Sequence, residues 1–155
     1  MIRDDHVILL VEDNLDDVEL TRRAFEKSRI ANKMVVACDG QQALDYLFME
    51  GGHAGRDAAL MPRVVLLDLK LPKVGGLEVL KQVKADETLK VIPVVILTSS
   101  SEEKDIVEGY RYGTSAYVVK PVDFHKFVDA IKQIGVFWAI INEPPPGSMC
   151  KKKYR

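Results

Sequence analysis

The chain of 155 residues is 47% hydrophobic, enough for one well-buried domain and short of the usual size for two. Its 22 basic and 23 acidic residues nearly cancel, so no overall field attracts it to nucleic acid or to an anionic membrane. The two cysteines, Cys38 and Cys150, are far apart, and we find neither a signal-peptide core nor an apolar run of membrane-spanning length. We therefore expect a cytoplasmic protein that binds neither nucleic acid nor membrane.

Five short β-rich runs alternate with helical patterns along the chain. We predict strands at residues 7–11, 34–38, 64–68, 93–98 and 116–120. The helical patterns lie approximately at residues 15–28, 41–50, 77–85, 101–112 and 123–142, and Gly113 is placed to cap the fourth of them. An alternation of this kind indicates an α/β fold with a parallel sheet.

The composition of the strands predicts their order in the sheet. The runs "VILLV", "VVLLD" and "VVILT" are almost continuously aliphatic, as strands covered on both faces must be, whereas "MVVAC" and "AYVVK" are less so. The first, third and fourth strands should therefore be central. This favours the order 2-1-3-4-5 of a doubly wound, flavodoxin-like (βα)5 fold with right-handed crossovers and a ligand crevice between strands 1 and 3.

The end of the chain differs in composition from the rest. We assign residues 1–142 to one domain. Residues 143–155, "EPPPGSMCKKKYR", are assigned to a disordered tail that is Pro-rich at first and then basic. The tail is either a segment that docks a partner or an inert terminus, and the second interpretation is favoured because most termini are inert. A Gly-rich stretch at residues 50–62 predicts a long surface loop before the third strand.

Carboxylates follow two of the central strands. Strand 1 runs into Glu12 and Asp13, and strand 3 ends at Asp68, so all three should emerge on either side of the crevice. Like charges this close repel and need a cation, and all-oxygen ligands suit a hard divalent ion such as Mg²⁺. The alternative is that acids after strand 1 merely favour the start of the first helix. We accept that alternative for Asp16 and Asp17.

Two more polar residues end strands at the same edge, Thr98 in "VVILTSS" and Lys120 in "AYVVKPVD". Taken singly, each is usually incidental. Together with the carboxylates they form a set suited to phosphoryl transfer, in which Asp68 would attack phosphorus to give an aspartyl phosphate. Thr98 and Lys120 would then contact phosphoryl oxygens, and Mg²⁺ would bridge the carboxylates to the phosphoryl group.

These motifs resemble those of the receiver domains of two-component response regulators. The segments "VEDN", "LLDLKLPKVGGLEVL", "PVVILTSS" and "GTSAYVVKP" occur in the family's order, and the resemblance covers residues 7–142. It implies the receiver fold and a cytoplasmic phosphoprotein of phosphorelay signalling. The long loop before strand 3 and the "FW" of the last helix are similar to single-domain regulators associated with bacterial phytochrome kinases.

The resemblance implies a role for each of the matching positions. Asp68 would be the phosphoacceptor, and Mg²⁺ or Mn²⁺ would be held by Glu12, Asp13, Asp68 and the backbone carbonyl of Lys70. Thr98 and Lys120 would contact the phosphoryl group. Thr98 and Tyr117 would form a switch pair. The peptide bond before Pro121 would be cis. In the implied switch, Thr98 moves toward the phosphoryl group and Tyr117 fills the space that it leaves.

The implied partner is a sensor histidine kinase, with a kinase of the phytochrome type as the candidate. We expect self-phosphorylation and autodephosphorylation but no turnover of an external substrate. Apolar residues outside the core-facing stripe of the last helix predict a homodimer through the fourth helix, fifth strand and fifth helix. The alternative is that these residues cover the Pro-rich tail.

Other functions fit the residues less well. A haloacid-type phosphatase needs a second Asp at the position of Lys70, "EDNLDD" would repel the phosphate of a flavin, and no P-loop motif occurs. The serious rival is an adaptor that keeps the fold and acts independently of phosphorylation. A relay that passes the phosphoryl group to a histidine phosphotransfer protein is a further alternative.

Overall fold

The computed structural model describes residues 7–27, 32–49, 61–98, 111, 113, 116–121 and 123–133. The predicted loop at residues 50–62 lies mostly outside the described residues, and so does most of the predicted helix at residues 101–112. The predicted tail, residues 143–155, and the second half of the last predicted helix also lie outside them. No helix in the described ranges is long and apolar enough to cross a membrane.

The described elements follow the predicted alternation. The strands are β1 (Ile8–Val11), β2 (Met34–Ala37), β3 (Val64–Asp68), β4 (Val94–Thr98) and β5 (Ala116–Val119). The helices are α1 (Leu15–Lys27), α2 (Gly40–Phe48), α3 (Gly76–Ala85) and α4 (Phe124–Gln133), the last of which lies within the predicted fifth helix. Apart from the end of α4, which is the last described residue, every boundary lies within two residues of the predicted one. A short 3-10 helix, Leu89–Val91, was not predicted.

The five strands form one parallel sheet in the order β2-β1-β3-β4-β5, which confirms the predicted doubly wound topology. The three aliphatic strands are central, and every residue of β1, β3 and β4 is buried. The edge strands are less buried, because each has a neighbour on one side only. The aliphatic composition of each strand therefore correctly predicted whether the strand is central or at an edge of the sheet.

Helices cover both faces of the sheet. On one face, Val18 and Phe25 of α1 and Phe127 of α4 pack on alternate residues of the strands, and the Phe25 and Phe127 ring centroids are 4.8 Å apart. On the other face, α2 and α3 cover the remaining strand residues, with Leu47 and Leu80 almost fully buried. With both faces covered, the carboxyl edge of the sheet is where polar side chains can gather.

The strand register brings those polar residues to similar heights along the edge. Val11 pairs with Leu67, so Glu12 follows β1 at the level of Asp68. Asp68 pairs with Leu97, which puts Thr98 one residue further on. The Lys120 amide then donates a hydrogen bond to the Thr98 carbonyl at 2.7 Å, immediately beyond the last pair of β4 and β5.

Candidate functional site

Three carboxylates meet at the carboxyl edge of β1 and β3. Glu12, Asp13 and Asp68 each offer an oxygen, and these oxygens all lie within 4.8 Å of one another. Glu12 and Asp68 are buried and Asp13 is exposed, so the cluster has a wall inside the protein and an open side toward solvent. An all-oxygen donor set with excess negative charge suits Mg²⁺ or Mn²⁺, and these three residues fit such an ion.

The ammonium of Lys120 reaches into the same cluster from the end of β5. Its Nζ lies 2.8 Å from Glu12 Oε1 and 2.9 Å from Asp68 Oδ2. A third carboxylate, that of Asp17 on α1, contacts the same Nζ at 3.2 Å. The sequence had assigned Asp17 only to the start of the first helix, and no spacing along the chain could have shown a partner 103 residues away.

The burial of this charged group changes its acid–base behaviour. Burial is the main cause that raises the pKa of Glu12 from 4.5 to about 7; the hydrogen bond from Lys120 opposes this net shift, and the nearby charge of Asp68 contributes to it. Burial alone would lower the pKa of Lys120. Its hydrogen bonds with Glu12 and Asp68 outweigh burial, so the pKa of Lys120 lies above its usual value and the ammonium stays charged.

The loop between β3 and α3 holds the Asp68 carboxylate in place. The Lys70 amide donates a hydrogen bond to Asp68 Oδ1 at 3.0 Å, and the Gly76 amide donates to the Leu69 carbonyl at 3.1 Å. Lys73 adopts a left-handed backbone conformation with a φ of 65°, which bends the loop. Lys70 thus supports Asp68 through its amide, while the role predicted for its carbonyl as a metal ligand stays a prediction.

The same loop packs against the start of α2. Asp39 caps α2 by accepting a hydrogen bond from the Gln42 amide at 2.7 Å, and its other oxygen lies 3.4 Å from the Lys73 ammonium. A Cβ at Gly40 would lie 1.9 Å from the Val74 carbonyl oxygen, so the two segments touch through their backbones. This contact was not predicted from the sequence, in which its one signal is the pair Asp39 and Gly40 at the start of a helix.

The remaining predicted site residues lie around the cluster. Thr98 is buried at the end of β4, and Tyr117 on β5 is 40% exposed. The peptide bond between Lys120 and Pro121 is cis. The structure thus brings Lys120 into direct contact with two of the three carboxylates, Glu12 and Asp68, while the switch role of Thr98 and Tyr117 stays a prediction.

A doubly wound sheet with clustered carboxylates and a lysine at its carboxyl edge defines a receiver-like α/β protein. Residues 8–132 match the family model described as the response regulator receiver domain. The match covers most of the chain, and the protein belongs to this family. The resemblance read from the four motifs is therefore confirmed.

Two relatives match this chain over most of its length. One is "Probable methanogenesis regulatory protein FilR2" of Methanothrix harundinacea, which is 43% identical over 143 residues, 92% of this chain and 89% of the relative. The other is "Response regulator Rcp1" of Synechocystis, which is 35% identical over 132 residues, 85% of this chain and 88% of the relative.

Solved structures of the same family are also similar. The bacteriophytochrome response regulator RtBRR is 56% identical with a TM-score of 0.79, over 96% of this chain and 90% of that one. The Mn²⁺-bound form of Rcp1 is 33% identical with a TM-score of 0.71, over 92% and 99% of the two chains. The phosphorylated cyanobacterial phytochrome response regulator RcpA is 37% identical with a TM-score of 0.72, over 89% and 99%. Phytochrome-associated regulators are thus among its relatives, as the sequence indicated.

Proposed function

We propose that a sensor histidine kinase transfers a phosphoryl group to Asp68 in a Mg²⁺-dependent reaction, and that the phosphorylated protein signals through altered contacts with other proteins. The observation that carries this proposal is the contact of 2.9 Å between Lys120 Nζ and Asp68 Oδ2 inside a cluster of carboxylates. A carboxylate beside a fixed ammonium, at the open edge of a sheet, is suited to attack a phosphoryl group. A phosphorylated relative, RcpA, supports the proposal.

The chain's own residues supply the attacking and stabilising groups. An oxygen of Asp68 forms a bond to phosphorus as the bond from phosphorus to the donor nitrogen breaks, and the electron pair leaves with that nitrogen. The Lys120 ammonium and the Thr98 hydroxyl donate hydrogen bonds to phosphoryl oxygens. We propose that the activated state ends by autodephosphorylation, in which a water oxygen bonds to phosphorus, the bond from phosphorus to the Asp68 oxygen breaks, and inorganic phosphate leaves. We propose no turnover of an external substrate.

The carboxylates of Glu12, Asp13 and Asp68 and the carbonyl of Lys70 would hold Mg²⁺ or Mn²⁺. When bound, such an ion neutralises charge on the carboxylates and on the phosphoryl oxygens. Two observations support this part of the proposal: the oxygens of the three carboxylates lie within 4.8 Å of one another, and the relative Rcp1 has an Mn²⁺-bound form.

The proposed output is a switch on the side of the sheet that carries β5. Thr98 is buried at the end of β4, and Tyr117 lies partly exposed on the neighbouring strand. Movement of Thr98 toward the phosphoryl group would leave space into which Tyr117 turns. Charge-assisted contacts of a dianionic phosphoryl group would provide the free energy for this change.

We also propose a homodimer through the helix predicted at residues 101–112, β5 and α4. The described part of this surface includes Tyr117, beside a groove of about 310 Å³ that is lined also by Lys126 and Asp129 of α4. Sedimentation velocity at high micromolar concentration, with and without beryllium trifluoride as phosphoryl analogue, tests the dimer. A strict monomer under both conditions would refute it.

A cytoplasmic location, and a domain of residues 1–142 followed by a tail of residues 143–155, are part of the proposal. We propose a phytochrome-type kinase as the partner, because bacteriophytochrome and cyanobacterial phytochrome regulators are among the similar structures. Transfer from a purified bacteriophytochrome kinase, compared with a sensor kinase of another class, tests the partner. Equal transfer from both kinases would be consistent with Asp68 as the phosphoacceptor and would refute a phytochrome-type kinase as the specific partner.

The phosphoacceptor role is tested with a small phosphodonor and Mg²⁺, followed by intact mass measurement. We expect the mass of one phosphoryl group on the wild type and none on Asp68→Asn or in the presence of a chelator. An unlabelled wild type, or equal labelling of Asp68→Asn, would refute the role. An unlabelled wild type that still binds its partner would instead identify a phosphorylation-independent adaptor.

A further inference from the structure

The Lys120 ammonium has one carboxylate partner that the proposed chemistry does not use. Glu12 and Asp68 belong to the metal-binding and phosphoacceptor set, whereas Asp17, which contacts Nζ at 3.2 Å, belongs to neither. Asp17 is the third residue of α1, and its side chain is 32% exposed. The contact joins α1 to the residue that follows β5, and that residue is the lysine proposed to contact the phosphoryl group.

The start of α1 is built so that the Asp17 carboxylate lies near the pocket. Asn14 caps the helix, because its Oδ1 accepts hydrogen bonds from the amides of Asp16 at 2.9 Å and Asp17 at 3.2 Å. The backbone N–H of Asn14 in turn donates a hydrogen bond to Glu12 Oε2 at 3.2 Å. The Thr21 hydroxyl donates to the Asp17 carbonyl at 2.8 Å, which holds the first turn from the other side. The cap thus links the position of Asp17 to that of Glu12.

An ammonium group has three N–H donors and no acceptor. In this structure three carboxylates, those of Glu12, Asp17 and Asp68, take one contact each. Once Asp68 is phosphorylated, the donor that it accepted is available to a phosphoryl oxygen. Glu12 and Asp17 then hold the ammonium between them. If Asp17 were absent, Glu12 would be the one remaining carboxylate partner, and the ammonium could rotate about that single contact.

We propose that Asp17 is a positioning residue that, together with Glu12, holds the Lys120 ammonium where the phosphoryl group arrives. The proposal rests on the phosphoacceptor function of Asp68. It assigns Asp17 no contact with metal or phosphoryl group, and its action passes through Lys120. Pre-orientation of a donor before reaction lowers the barrier, because the donor need not be ordered during the reaction.

The first test compares the phosphorylation rates of Asp17→Ala and Asp16→Ala at saturating small phosphodonor and Mg²⁺. Both variants remove one negative charge from the first turn of α1. Asp16 is exposed, and its bond to Asn14 is made by its backbone N–H, which the substitution keeps. We expect Asp17→Ala to be about five-fold slower than wild type, the upper end for a partly exposed ion pair. Asp16→Ala should stay within about two-fold. Equal rates for the two variants would overturn the proposal.

A double-mutant cycle with Lys120→Met shows whether Asp17 acts through the lysine. We expect Asp17→Ala to lower the phosphorylation rate when Lys120 is present, and to leave the residual rate unchanged when it is added to Lys120→Met. The same slowing in both backgrounds would show that Asp17 acts on the general charge of the pocket, and it would overturn the positioning role.

A second readout needs no phosphorylation. Ammonium protons held in ion pairs exchange slowly with water, so nitrogen–proton NMR of the unphosphorylated protein should show the Lys120 ammonium, assigned by its loss in Lys120→Met. We expect the signal in wild type and Asp16→Ala and its broadening in Asp17→Ala. An unchanged signal in Asp17→Ala would refute the positioning role. An unlabelled wild type in the rate experiment would refute the proposed function while this test still decides on Asp17.

Discussion

Gly76, the first residue of α3, packs directly on the backbone of Asp68. A Cβ at residue 76 would lie 2.3 Å from the Asp68 carbonyl oxygen and 2.6 Å from the Cα of Leu69. We therefore expect Gly76→Ala to lower the free energy of unfolding by about 1–3 kcal/mol, because backbone must move to admit the methyl group. Urea unfolding measures the loss.

Gly75→Ala provides the matched control for this prediction. Gly75 precedes the helix and has a φ of −68° that alanine adopts readily. Among the described residues, no heavy atom outside its two chain neighbours lies within 4 Å of an added Cβ. We expect it to change the free energy of unfolding by less than about 1 kcal/mol. Similar losses for the two variants would show that the close approach at Gly76 has no energetic consequence.

Glu12 should make the metal-free protein less stable as the pH rises. Its folded pKa of about 7 lies above its ordinary value of 4.5, so between these values the folded state binds more protons than the unfolded state. The free energy of unfolding should therefore fall as the pH rises from about 4.5 to about 7, by on the order of 2 kcal/mol. Urea unfolding in the presence of a chelator follows this change.

Glu12→Gln separates this effect from the titration of other groups. The amide cannot lose a proton, so the variant should lack the part of the pH dependence that Glu12 contributes. The difference in stability between variant and wild type should increase in favour of the variant from about pH 4.5 to 7. A constant difference across this range would contradict the raised pKa.

Mg²⁺ should stabilise the folded protein, because the carboxylate cluster exists only when β1 and β3 are paired. At a concentration one hundred times the Kd, the gain in free energy of unfolding should be about 2.7 kcal/mol. Asp13→Asn should weaken this gain because it removes one of the three clustered oxygens. Asp16→Asn, an exposed position outside the cluster, is the control. Equal stabilisation of Asp13→Asn and wild type in thermal unfolding with and without Mg²⁺ would exclude Asp13 as a ligand.

Asp39 should contribute stability mainly as the cap of α2. The hydrogen bond from the Gln42 amide, aided by Lys73 and opposed by burial, holds the pKa of Asp39 below its usual value. We expect Asp39→Ala to cost about 1–2 kcal/mol and Asp39→Asn less, because asparagine also caps helices. Lys73→Met should cost under about 0.5 kcal/mol, since the Lys73 side chain is 69% exposed.

The pH dependence of Asp39 has the opposite sign to that of Glu12. A lowered folded pKa contributes stability above the unfolded value, and this stability is lost as the pH falls through the folded pKa. Urea unfolding from neutral to acid pH should show this loss in wild type, and Asp39→Asn should lack it. A loss in acid that is equally large in Asp39→Asn would assign it to other carboxylates.

The order of the strands could be predicted because burial on both faces leaves a mark in composition. β1, β3 and β4 are aliphatic throughout and central, and the two less aliphatic strands lie at the edges. The meeting of Glu12, Asp68 and Lys120 was predictable for a related reason, since parallel strands end at one edge of the sheet. Helix boundaries were less predictable because caps such as Asp39 act over one or two residues.

By itself the sequence determined the parallel sheet, its strand order, the edge at which the site lies and the chemistry of the residues there. Only the tertiary structure decided that Asp17 contacts Lys120, that Gly76 rests on Asp68, and that burial raises the pKa of Glu12. The physical reason is that hydrophobic periodicity reports which face of an element is buried. Partners across space depend on helix placement and side-chain direction, and these exist only once the elements have packed.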